Sequence, residues 1–146
     1  MARAGDDDLT NGRVAKRAGV RHVSGVAADP TIRADPSLAL DLEIAAETPH
    51  VIAWRVWTKA PGDDRWVVAA EGHSEDDVPD VHAIGPLASG TLVGWWLGVG
   101  GPPGSWFRAA LRFRQRGRVL HGGERRVRGR ANDRGGAVRS GEARLA

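Results

Sequence analysis

From Leu38 to Phe113 the large apolar residues recur at every second position, and this alternation limits the chain to sheet architectures. In "SLALDLEIAAE", Leu38, Leu40, Leu42 and Ile44 share one face while Asp41 and Glu43 take the other. A period of two is that of a half-buried strand, whereas a helix repeats every 3.6 residues. "HVIAWRVWTK" sets Ile52, Trp54 and Val56 against Val51, Arg55, Trp57 and Lys59. "APGDD" then supplies turn chemistry and "RWVVAAEG" returns, which predicts a hairpin over residues 50–72. "TLVGWWLGV" and "WFRAALRFRQ" flank "GGPPGS" and read as a second hairpin. Its inward sets are Val93, Trp95, Leu97 and Val99 on one strand and Phe107, Ala109, Leu111 and Phe113 on the next. "VRHVSGVAA" (20–28) and "VHAIGPL" add short strands, and "HSEDDVPD" is an acidic loop. Short strands at this spacing predict an all-β, antiparallel β-sandwich.

The ends lack this pattern. Residues 1–18 are charged and unpatterned and predict a flexible segment, which leaves 19–121 as the sandwich domain. Residues 122–146 are rich in Gly and Arg with few large apolar groups, and predict a disordered or loosely attached basic tail, the alternative being that "RRVRGR" and "AVRSGEARL" pair weakly across "NDRGG". Residues 107–146 hold twelve arginines against Glu124, Asp133 and Glu142, a charge of +9 in a chain whose net charge is +3. Such asymmetry points to nucleic acid or another acidic partner, with Arg125, Arg126, Arg128 and Arg130 as the contact residues. With nineteen arginines and two lysines, arginine is also simply this chain's surface cation. The longest apolar run, Leu92 to Val99, falls far short of the roughly 20 residues of a membrane helix. The N-terminal stretch has no apolar core of a secretory leader, and the reading leans cytoplasmic.

The segment "HAIGPLASGTLVGWWLGV" resembles a fibronectin type III or related immunoglobulin-like domain, with Leu87, Gly90, Thr91, Val93, Trp95 and Leu97 in the matching places. "VIAWRVWTKAPGDDRWVVAAEG" is similar to that family's central hairpin. The resemblance spans roughly residues 20–120 and implies a two-sheet sandwich used for contact with other molecules.

Strand parity places Trp95 and Trp54 in the core. It turns Trp57, Trp96, Arg55, Arg108 and Arg112 to one outer face, with Trp106 at its rim. That face predicts either a cation–π ladder or a recognition surface for protein, sugar or nucleobase. No catalytic signature is found. His22, His50, His73, His82 and His121 have no metal-ligand spacing, there is no cysteine, and "GVGGPPG" lacks the Lys and Ser/Thr of a phosphate loop. The expectation is a noncatalytic module without a cofactor or metal. Its partner would be another protein or a second copy; nucleic acid held by the tail, or a carbohydrate stacked on Trp57, Trp96 and Trp106, are the alternatives.

Overall fold

The computed structural model describes residues 31–47, 49–74 and 78–146; the expected N-terminal segment (1–18) and the strand at 20–28 lie outside the described residues. Every regular element among the described residues is a strand: β1 (Thr31–Ile32), β2 (Leu40–Ala46), β3 (Val51–Lys59), β4 (Val67–Ser74), β5 (Asp80–Gly85), β6 (Leu92–Gly100), β7 (Trp106–Gln115), β8 (Arg118–Arg130) and β9 (Gly136–Leu145). They form two sheets, ordered β1-β9-β6-β3-β4 and β5-β2-β7-β8. All pairings are antiparallel except the short β1–β9 contact. Among the described residues no helix is long and apolar enough to cross a membrane.

The period of two decides what lies between the sheets. Leu40, Leu42 and Ile44 of β2, Ile52, Trp54 and Val56 of β3, Val93, Trp95, Leu97 and Val99 of β6, and Phe107, Ala109, Leu111 and Phe113 of β7 are all buried in one core. Burying each large side chain stabilises the fold by about 1.5–3 kcal/mol. Trp54 ties the two sheets together. Its Nε1 donates to Asp80 Oδ2 at 3.2 Å, and its ring meets His82 edge-on at 4.7 Å, both residues belonging to the opposite sheet. The β3–β4 hairpin forms as the sequence predicts, with an irregularity between Val56 and Trp57.

Two expectations need correction. β6 and β7 are not a hairpin: β6 pairs with β3 and β9, while β7 pairs with β2 and β8 in the other sheet. "GGPPGS" is therefore a crossing between layers. Alternation cannot distinguish the two cases, because both strands turn the same residues to the same core either way. The crossing is pinned to the one between β8 and β9 by Gly101 N–Gly135 O (2.8 Å), Ala131 N–Ser105 O (2.8 Å) and Gly104 N–Ala131 O (3.0 Å). The buried His50 adds a 2.7 Å bond to Ser105 Oγ.

The loose basic tail is the second correction. β8 begins before the expected boundary at residue 121, and β9 lies inside its sheet between β1 and β6, in register from Gly136–Gly100 to Arg144–Leu92. Arg116 (φ 51°) and Gly117 (φ 75°) join β7 to β8, the paired positive angles of the two-residue turn that matches strand twist. The segment looked too polar because its inward positions are small or amphipathic. Ala143 and Leu145 are buried, while Arg139 lays its guanidinium 5.4 Å from the Phe107 ring and donates to Val138 O at 2.8 Å. A strand whose partner supplies the bulk needs few large residues of its own.

Candidate functional site

The crossing separates the expected single face into two surfaces on opposite sides of the sandwich. Trp57, Trp96 and Arg55 lie on the outer face of the five-stranded sheet, where Arg55 and Trp96 are register partners. Arg55 pairs with Glu71 at 2.7 Å and lies 5.7 Å from the Trp57 ring. Trp66, which the sequence did not single out, rests over Gly94 and carries Lys59 Nζ 5.5 Å from its centroid. The Trp96 ring folds across Gly98. Beside it is an open groove of 540 Å³ floored by Ala53, Gly98, Gly100 and Gly136. Two of these indoles already carry their cations, which makes much of this face a cation–π ladder.

Trp106, Arg108 and Arg112 are on β7, in the outer face of the four-stranded sheet. Their register partners on β8 are Arg130, Arg128 and Glu124. At one end of this face the charges are satisfied. Arg112 bonds Glu124 at 2.7 Å and lies 3.9 Å from Glu43, Arg114 pairs with Glu43 at 3.2 Å, and Arg126 pairs with Glu124 at 3.2 Å. The hydrogen bond from Arg112 holds the Glu124 carboxyl below its ordinary pKa against a desolvation penalty, with Arg126 and Arg112 assisting by charge. Arg125 belongs to no surface cluster. Opposite the buried Leu111, it faces inward and donates to Gly122 O at 2.5 Å and Glu124 O at 3.0 Å.

The other end of the face is different. Arg108 stands directly opposite Arg128, and both are exposed. One step further along, Trp106 stands opposite Arg130, whose guanidinium lies 5.8 Å from the indole centroid and donates from Nε to Gly104 O at 2.8 Å. Among the described residues no carboxylate lies within ion-pair distance of Arg108, Arg128 or Arg130. Trp106 is 71% exposed, the most accessible of the large apolar residues described. Thus the fold brings Trp106 and Arg108, read from one stretch of sequence, together with Arg128 and Arg130, read from another.

The His50–Ser105 pair is built to hold the crossing. Ser105 Oγ donates its proton to Pro102 O at 2.6 Å, so in this arrangement the imidazole Nε2 donates to Ser105 Oγ and takes no proton from it. No group of His, Asp and Glu arranged to hold a metal ion occurs among the described residues. Comparison of the chain with family models, with curated proteins and with solved structures gives no match.

Proposed function

We propose that the protein is a noncatalytic recognition module of the immunoglobulin-like or fibronectin-III-like class that binds an anionic polymer through Trp106, Arg108, Arg128 and Arg130. The class assignment is supported by strand order. β9-β6-β3-β4 facing β5-β2 is the arrangement that strands G, F, C and C′ take opposite E and B in such sandwiches. In that frame the β7–β8 hairpin is an addition between the F and G equivalents, pairing with β2. All four residues of the cationic corner sit on the added hairpin.

The observation that carries the binding reading is the opposition of Arg108 and Arg128, neither of which forms an ion pair among the described residues, although Glu47 donates its backbone N–H to Arg108 O at 3.3 Å. Like charges directly across a sheet destabilise it, and a bound anion reverses the sign of that term. A protein partner on the Trp57–Trp66–Trp96 face has weaker support, because Arg55 there is already paired with Glu71 and Trp57 and Trp96 are half-buried. The test is binding of fluorescent inorganic polyphosphate across a salt series, with the native chain and with Arg108→Gln/Arg128→Gln. The reading expects affinity to fall steeply with salt and the double variant to bind weakly with a flatter dependence. Salt-independent binding, or equal binding by the two proteins, contradicts it.

A further inference from the structure

Building on that anion-binding reading, we infer that the polymer is a single-stranded nucleic acid, with a base stacked on Trp106 and its flanking phosphates on Arg108 and Arg128. A corner that bound anions by charge alone would have no use for a large indole held out in water. Trp106 begins β7, is 71% exposed, and points to the same side as the arginines. Its one described cation partner, Arg130, is anchored by its Nε to Gly104 O, which fixes the guanidinium beside the ring.

The spacing suits a nucleotide chain. Trp106 and Arg108, like Arg130 and Arg128, are two residues apart on one strand face, so a stacking surface and a pair of phosphate donors lie about 7 Å apart. Arg126 continues the row along β8, its side chain 78% exposed although paired with Glu124. Among the described residues β8 is the edge strand of its sheet, and no further described strand pairs with it on that side of the row. Single-strand binders combine these two elements, a cationic track for the backbone and an aromatic platform that accepts any base. Paired bases in a duplex keep their faces covered, which leaves Trp106 without a partner there.

The experiment compares a short oligodeoxythymidylate, the same sequence annealed into a duplex, and inorganic polyphosphate of equal charge, using the full chain. The oligonucleotide is expected to bind at least tenfold more tightly than either competitor and to quench tryptophan emission. Trp106→Ala is expected to weaken oligonucleotide binding roughly tenfold or more, the value of one stacked base, and to weaken polyphosphate binding far less. Trp106→Phe should restore most of the affinity while losing the quench. Equal binding of oligonucleotide and polyphosphate, with no effect of Trp106→Ala, overturns the nucleic-acid assignment and leaves the anion-binding reading standing. Tighter binding of the duplex overturns it as well. Failure of all three probes to bind overturns both.

Discussion

The indole of Trp95 lies flat against Gly141, its register partner on β9, in the space that any side chain at position 141 would fill. This contact explains how a strand with so few large residues holds a place in the five-stranded sheet: β6 supplies the bulk and β9 the room. Gly141→Ala forces the ring to move in a packed core and is expected to cost about 1–3 kcal/mol. Denaturant unfolding of the variant checks it, and an unchanged midpoint would show that the ring has space elsewhere.

Trp95 and its neighbour Trp96 should separate cleanly. Trp95 is buried among β6, β9 and the core, while Trp96 is half-buried on the outer face. Trp95→Ala is expected to cost about 3–5 kcal/mol, the usual loss for a core aromatic, and Trp96→Ala markedly less. Paired unfolding curves measure both; equal losses would mean that the outer face is as tightly packed as the inner one.

Removal of residues 123–146 is expected to abolish cooperative folding. It takes away β9 and most of β8, leaving β6 and β7 each without a partner on one edge and exposing Trp95. Loss of the sheet signal in far-ultraviolet circular dichroism checks this, and a truncated chain that melts like the intact one contradicts it.

Acid should loosen the four-stranded face through Glu124. Because its carboxyl titrates lower in the folded chain than its ordinary value of 4.5, it contributes stability that is complete above that pH. That contribution is lost as pH falls through the lowered folded value. Glu124→Gln is therefore expected to flatten the decline in melting temperature on the acid side, while leaving Arg112 and Arg126 without their shared carboxylate. Parallel pH profiles of the two proteins would contradict this.

The sequence disclosed which residues face the core but not which strands are neighbours. Parity correctly buried Trp54, Trp95 and Phe107, because alternation is a local property of the extended backbone. The partition of β6 and β7 into different sheets depends on hydrogen bonds between the crossings at Gly101–Gly135 and Ser105–Ala131, which no side-chain pattern records. β9 was hidden for a related reason, since Gly141 and Arg139 read as tail until Trp95 and Phe107 lie beside them. The candidate site was legible only in pieces. Trp106 and Arg130 are far apart in the chain, and only the β7–β8 register makes them neighbours.

The most direct test of the central claim is a paired measurement on Arg128→Gln at low salt: unfolding free energy and oligodeoxythymidylate affinity, with Arg118→Gln as a control at the far end of β8. If Arg108 and Arg128 are held together for a ligand, removing one should stabilise the free protein by roughly 0.2–1 kcal/mol. The same change should weaken binding several-fold, and the control should change neither quantity. A variant that is less stable than the native chain and binds as tightly would contradict the account.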